Sequence, residues 1–437
     1  MTLLPGPAPD DVDAWVGAHL LDLSCDDEVR RSGRFVGTQA SADAALAQLD
    51  LAGYARQRNE VLPVSRRGAT ALSPYIRHGL LTLPEVSAAA ATAPSKDRQK
   101  FRDELMWQEY ARHVYARLGP RMASALRFDP ATGPGDAADP GDPGDPGDPG
   151  DSGGSADPGD SGDSGDPTVP VPDPWDRSMA CVDATVRELE DDGWLVNQTR
   201  MWLASQWTVR HGAHWREGED RFFTHLLDGS RAANRLGWQW TIGAGTGKPY
   251  GFSRWQVEKR APALCAGCDR RNDCPIQDWP DERELAAVTP DDRLHRDPGP
   301  DDTAGPSAAQ ITGRADAVWL TAELLGDTDA ALAASPALPV VFVFDEPLLA
   351  GLRLASKRLV FLAERLAELA AQREVEIHRG DPATVLAGRA LATTFTPVPK
   401  GRRLRSELDV VELHPWPWLV RPTSGPIQSF SAWRRGR

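Results

Sequence analysis

Three cysteines fall within ten residues, as Cys265-Ala266-Gly267-Cys268 and then Cys274-Pro275. Cys-x-x-Cys followed by Cys-Pro suits an iron–sulfur cluster and also suits zinc, with Cys181 available as a fourth ligand. Cys25 stands apart and reads as a buried thiol. Thr70 and Ser73 bring two hydroxyls to the start of a helical pattern, where free backbone N–H groups favour an anion; a plain helix cap uses the same residue types. Glu104 and Trp107, three apart on one helix, share a face and set an acid beside a ring. Fifteen Trp against five Tyr is a large stock of easily oxidised rings, and core packing accounts for many of them.

These residues need elements to position them. LSPYIRHGLL, KFRDELMWQEYARHVYARL, MACVDATVRELEDDG, TRMWLASQWTVRHG and EDRFFTHLLDGSRAANRLGWQW all carry apolar residues at helical spacing. From about residue 314 the pattern changes to short β-rich runs: ADAVWLT, PVVFVFD, EVEIHR, TTFTPV and DVVELH. Between them lies a strongly periodic helix, SKRLVFLAERLAELAAQ. Strand–helix alternation predicts a doubly wound parallel α/β sheet. The expected division is a helical domain over 1–130 and 174–290, a linker at 291–311 and an α/β domain over 312–437. Residues 131–173 interrupt the helical domain with a Pro/Gly/Asp run that has no apolar period and reads as disordered.

That insert also explains the charge. The formal net charge is −14, but residues 136–166 hold ten Asp and no Lys or Arg, which leaves the rest near −4. Local basic pairs such as Arg66-Arg67, Arg270-Arg271 and Arg434-Arg435 keep a nucleic-acid partner open. Five Cys with no export signal argue against a disulfide framework. No run of eighteen apolar residues exists, so a cytoplasmic protein without a membrane partner is expected.

Four stretches resemble the flavin domain of the DNA photolyase/cryptochrome family, in that family's order. ATALSPYIRHGLLTLPEV is similar to its Thr-Ser-x-Leu-Ser-Pro-Tyr-Leu turn, and ELMWQEY to its Glu-Leu-x-Trp-Arg-x-Phe helix. GWLVNQTRMWLAS is similar to Gly-Trp-Met-His-Asn-Arg-x-Arg-Met, and LLDGSRAANRLGWQW to the segment ending Gly-Trp-Gln-Trp. The α/β region resembles the antenna-type domain that opens ordinary photolyases, through PVVFVFDEPLL, EVEIHRGDPATVL and the closing SFSAWRRGR. The resemblance therefore implies an all-helical FAD-binding domain followed by the α/β domain, in circularly permuted order. The family's Arg-Arg-Asp-Leu-Arg after the first strand is Thr321-Ala322-Glu323-Leu324-Leu325 here, which leaves the antenna chromophore unassigned.

Residue by residue, the resemblance implies that Thr70 and Ser73 hold the FAD pyrophosphate, helped by Tyr54 and Arg58, and that Leu72 and Asn197 also bind the cofactor. Arg200 and Asp228 correspond to the ion pair behind the isoalloxazine ring, and Asn234 to the group near flavin N5. Ser230 replaces an Asp on the adenosine side. Trp107 would stack on extruded pyrimidines, Glu104 would bond their polar edges and Trp240 would form the opposite wall. Asn197 and Met201 resemble the pair found in enzymes for cyclobutane dimers, whereas (6-4) enzymes carry His at both places. Val196 and Gln198 depart from a His and from an Arg that meets DNA phosphate. Trp238 and Trp215 correspond to the first two rings of an electron-hopping chain, with Trp202, Trp207 and Trp255 open for the third. Cys181, Cys265, Cys268 and Cys274 follow the order of a branch that binds a 4Fe–4S cluster. The implied function is a carbon–carbon lyase, a deoxyribodipyrimidine photo-lyase acting on DNA, with a monomer as the default. The rival is a blue-light photoreceptor that signals through a partner.

Overall fold

The computed structural model describes residues 2–129 and 173–435, so the expected insert lies outside the described residues, Asp173 aside. Seven strands form one sheet: β1 (Thr2–Leu4), β2 (Gln310–Ile311), β3 (Ala317–Leu320), β4 (Val340–Asp345), β5 (Val375–Gly380), β6 (Leu391–Thr394) and β7 (Val410–His414). Their spatial order is β1-β5-β4-β3-β6-β7-β2. The five central strands run parallel, while β1 and β2 are antiparallel at the two edges. Counted from β3, the parallel order is third, second, first, fourth, fifth, which is the doubly wound pattern. All four residues of β3 are buried, because a sheet covered on both faces needs apolar runs rather than alternation.

Residues 2–4 were expected in the helical domain and instead pair with β5, Leu3 opposite His378. Three residues are too few to display a strand period, and an open sheet edge takes whatever extended segment reaches it.

Eight helices position the site: α1 (Ser73–Arg77), α2 (Ser95–Leu118), α3 (Ala180–Asp192), α4 (Asn197–Ser205), α5 (Trp215–His225), α6 (Ala233–Thr241), α7 (Ser356–Ala370) and α8 (Phe430–Arg435). Helix α7 joins the sheet to the helical half. Its charged residues would suit a solvated face, yet Lys357, Arg358, Glu364 and Arg365 are all buried. Lys357 Nζ donates to Glu190 O at 2.7 Å, Arg358 donates to Phe223 O and Gly229 O, and Glu364 accepts from Gly37 N at 2.6 Å. One apolar core therefore runs from Leu72 and Leu105 in the helical half to Val318 and Leu359 in the sheet half.

The stretch 291–311, expected as a linker, is packed. Asp297 is buried against Arg117 at 3.4 Å, and Gln310–Ile311 pairs with β7. The chain after β7 returns along α2. Tyr110 Oη donates to Ile427 O at 2.8 Å, and Arg117 donates to Thr423 O at 2.8 Å. Trp433 Nε1 donates to His113 Nδ1, which leaves the His113 Nε2–H to donate to Val420 O.

Candidate flavin and substrate cavity

A cavity of about 450 Å³ lies where the helical half meets the sheet half. That is within the ordinary range for a cofactor site. Its lining includes Tyr54, Arg58, Thr70, Leu72, Ser73, Glu104, Trp107, Asn197, Arg200, Met201, Asp228, Ser230, Asn234 and Trp238. Residues from four separate stretches of sequence thus face one space. Leu349, Leu354, Arg358, Lys400 and Trp416 close it from the sheet side.

The turn entering α1 carries Ala71 at φ 56, a left-handed conformation that costs a non-glycine residue energy. It lies between the Thr70 and Ser73 hydroxyls. Ser73 Oγ accepts from Trp194 Nε1 at 3.0 Å, so its own O–H remains to donate. Arg200 Nη2 meets Asp228 Oδ2 at 2.7 Å, as the resemblance implies. The other carboxylate oxygen, Asp228 Oδ1, is buried with no hydrogen-bond partner, and so is Trp238 Nε1. An unfilled acceptor and an unfilled donor on residues lining one cavity suit a ligand with both, and a flavin ring has both. Asn234 Nδ2 donates to Glu219 Oε1 at 2.9 Å and to Glu219 O at 3.1 Å, so the carbonyl oxygen is the amide's remaining group. Glu219 is fully buried among Arg231, Arg235 and Asn234, and burial raises its carboxyl above the usual range.

Two expected roles meet each other. Arg58 Nε bonds Glu104 Oε1 at 3.2 Å and Lys100 Nζ lies 2.8 Å from the same oxygen, so the carboxylate expected to read a substrate is tied to the cation expected to hold phosphate. Trp107 leans edge-on against Phe430 of α8, centroids 5.2 Å apart. Asn197 Nδ2 points at Met201 Sδ, 3.5 Å away.

Trp240 is not part of the cavity wall. Two residues beyond Trp238 on α6, it sits about 200° around the helix and so points outward. It is 38% exposed and packs on Tyr250 at 5.5 Å. Gln198 is buried and donates to Tyr250 Oη at 3.0 Å, so it holds that ring rather than facing outward. Trp215 is buried outside the cavity lining. A ring that sequence reasoning left unplaced joins the group around Trp238. Trp175 is 1% exposed, 5.2 Å from Trp207 and 5.6 Å from Phe222, which in turn meets Trp238 at 5.1 Å. Arg221 covers its face at 4.3 Å. A lone Trp in PDPWDR has no periodic context, and only the tertiary contacts reveal it.

The four cysteines are gathered but form no single-ion site. Cys181 on α3 is pushed up to about 12 by burial, and by Cys265, Cys274 and Cys268 nearby. Cys268 Sγ accepts from Ala180 N at 3.4 Å. All are free thiols, and among the described residues no group of three or more His, Cys, Asp or Glu is placed to hold a metal ion.

Residues 178–260 match the family described as the FAD binding domain of DNA photolyase. This segment belongs to that flavin-binding family. It contains Asn197, Arg200, Met201, Asp228, Ser230, Asn234, Trp215 and Trp238, while Tyr54 to Trp107 reach the same cavity from outside the matched segment. A deoxyribodipyrimidine photo-lyase of Vibrio cholerae is 27% identical over 228 residues, 50% of this chain and 43% of that protein. One of Streptomyces griseus is 46% identical over 65 residues, 15% of this chain and 14% of that protein. The matched regions span less than half of these relatives. A bacterial class III photolyase structure from Agrobacterium tumefaciens is 23% identical with a TM-score of 0.39, over 52% of this chain and 45% of that one. Among the described residues no helix is long and apolar enough to cross a membrane.

Proposed function

We propose that this chain splits cyclobutane pyrimidine dimers in DNA, using light and a reduced FAD held in the cavity. The observation that carries the reading is the shared cavity: the hydroxyl turn, the Arg200–Asp228 pair and the Trp107/Asn197/Met201 set line one space. The bound flavin would supply light-driven one-electron donation to the dimer and take the electron back after both ring bonds break. Thr70, Ser73 and Tyr54 would hold its phosphates. Arg200 and Asp228 would fix charge beside the ring; such a buried pair adds little stability and serves better as fixed electrostatics. Asn234, oriented by Glu219, would offer N5 a neutral carbonyl. Trp107 would stack on the extruded bases. Neither Asn197 nor Met201 can act as a general acid, and splitting by electron donation needs none.

Photoreduction would draw on Trp238, with Trp215 and the Trp207–Trp175 group as routes outward. The four cysteines are proposed to carry a 4Fe–4S cluster on the strength of the donor set alone: the ligands of a cubane stand at its corners and need not converge as those of one ion do. The permuted domain order, with a boundary near 291–311, belongs to the same reading. The second reading, a photoreceptor, is favoured by Gln198 holding Tyr250 and by Glu104 being tied to Arg58 and Lys100. A dimer-repair assay under blue light with chemically reduced protein separates the two. Repair supports the lyase; photoreduction without repair favours the photoreceptor.

A further inference from the structure

Helix α8 is six residues long, too short to hold its shape without packing partners. It finds them on α2. Trp433 is buried; its indole N–H donates to His113 Nδ1 at 3.1 Å and its ring meets that of Tyr110 at 5.5 Å. Arg434 Nη2 pairs with Asp103 Oδ1 at 2.6 Å. Just ahead of the helix, Ile427 is buried and its carbonyl accepts from Tyr110 Oη at 2.8 Å. Asp103, Tyr110 and His113 follow one stripe of α2, and the residue of that stripe between Asp103 and Tyr110 is Trp107.

Docked on that stripe, α8 sets Phe430 against the ring that the proposed function gives to the substrate. The Phe430 ring stands 5.2 Å from that of Trp107 at 72° and 5.7 Å from that of Tyr110 at 66°. Tyr110 in turn meets Trp107 at 5.7 Å and 43°, and Trp433 backs Phe430 at 6.0 Å. Phe430, Tyr110 and Trp107 thus touch pairwise, and of the three only Trp107 lines the cavity. A half-buried tryptophan on a helix has several staggered rotamers open to it. A base can stack on only one setting of the indole plane, so every other rotamer subtracts from binding, and a ring fixed beforehand recovers that loss. Phe430 and Tyr110 together leave the Trp107 ring one tilt. Mere core packing would instead place the whole value of Phe430 in stability, the same with or without Trp107.

We propose that Phe430 is a positioning residue for the substrate: clamped to α2 through Trp433 and Arg434, it fixes the tilt of Trp107 so that the indole is preset to stack on an extruded base. It acts through Trp107 and lies outside the cavity lining itself. The inference rests on the reading that Trp107 is the stacking ring. The test uses the full chain with its FAD and an oligonucleotide carrying a cyclobutane dimer, followed by fluorescence anisotropy in the dark. Phe430→Ala should raise the dissociation constant about three- to ten-fold, while the repair rate at saturating substrate and the rate of flavin photoreduction hold. Phe430→Tyr, which keeps the ring, should bind within about two-fold of wild type. In a Trp107→Ala background Phe430→Ala should cost no further affinity, because no ring is left to hold. FAD content reports folding, and should Phe430→Ala lose its flavin, Phe430→Leu carries the same comparison. A second readout needs no substrate: with fluorotryptophan incorporated, the Trp107 fluorine resonance, identified by its loss in Trp107→Phe, should move in Phe430→Leu. Undiminished dimer binding by a flavin-loaded Phe430→Ala would overturn the proposal, as would equal losses with and without Trp107, or an unmoved resonance. A wild-type chain that binds no dimer, while the Trp107 resonance still answers to Phe430, would sink the lyase reading and leave the hold on the ring standing.

Discussion

Gly218, on α5, separates two tryptophans, and replacing it with alanine tests the geometry around Trp238 directly. An added Cβ would strike the tip of the Trp238 ring, lie 2.8 Å from its Cζ3 and come within 2.9 Å of Trp207 Cδ2. Two effects oppose each other. Alanine in a helix interior gains about 0.8–1.0 kcal/mol over glycine, while overpacking a tight core costs typically ~1–3 kcal/mol. Both rings are nearly sealed, and Phe222 and Trp175 stand behind them at 5.1 and 5.2 Å. Neither ring can swing into solvent, so the upper part of the packing cost applies. The net expectation for Gly218→Ala is a loss of about 1–2 kcal/mol, read from urea midpoints, together with altered flavin photoreduction because Trp238 is displaced. Gly237 on α6 is the control. A Cβ there meets nothing within 4 Å, so Gly237→Ala should stabilise the flavin-free protein by roughly 0.5–1 kcal/mol. Because Gly237 lines the cavity, the same change should weaken flavin binding. If Gly218→Ala proves as stable as Gly237→Ala, the rings are not packed as described.

Trp107→Ala should weaken binding of dimer-containing DNA by roughly 1–3 kcal/mol and leave photoreduction intact; Trp238→Phe should slow photoreduction yet allow repair by chemically reduced protein, and the reverse pattern would break the assignment. Purified protein should contain iron, and Cys268→Ser should lower it along with the folded yield before it alters the flavin spectrum; zinc without iron on elemental analysis removes the cluster. Glu109 is buried on α2, and burial, outweighing nearby Arg112, pushes its carboxyl up to about 7. A raised carboxyl means the folded chain keeps a proton that the unfolded chain releases, so its contribution to stability is fully present below about pH 4.5 and is lost as pH rises through 7. Glu109→Gln keeps an acceptor for the Val420 N–H, should remove that pH dependence, and should exceed wild type at pH 8 by up to ~3 kcal/mol; the same change in urea midpoint between pH 5.5 and 8 in wild type and variant would contradict it.

What could be read in advance follows from where the information sits. β3 and β4 were legible because AVWL and VVFVFD are unbroken apolar runs. Asn197 and Met201 were legible as neighbours because four residues is one helical turn. The Arg58–Glu104 pair spans 46 residues and joins the turn after Gln57 to α2, so no local pattern announces it. The periodicity of α7 says nothing of the fate of its charges, and only the helical half packed against them explains their burial. Trp240 falls outside the cavity lining because a motif gives order along the chain, whereas a helix turns residues two apart to different faces. Trp175 lacked any repeat to mark it.

The cavity has walls from both halves, with Leu349, Leu354, Arg358 and Trp416 facing Thr70, Asn197 and Asn234 across it. A flavin lodged there would act as a clasp. It would touch both halves at once, so its escape rate would report on how firmly the junction is held as well as on any one hydrogen bond. Mass action then makes the clasp mutual: at a hundred-fold excess over its dissociation constant a bound ligand adds about 2.7 kcal/mol to the folded state. Substitutions at the seam outside the cavity lining, at Lys357 or Glu364 for instance, would register first as a shortened cofactor residence time, ahead of any change in colour.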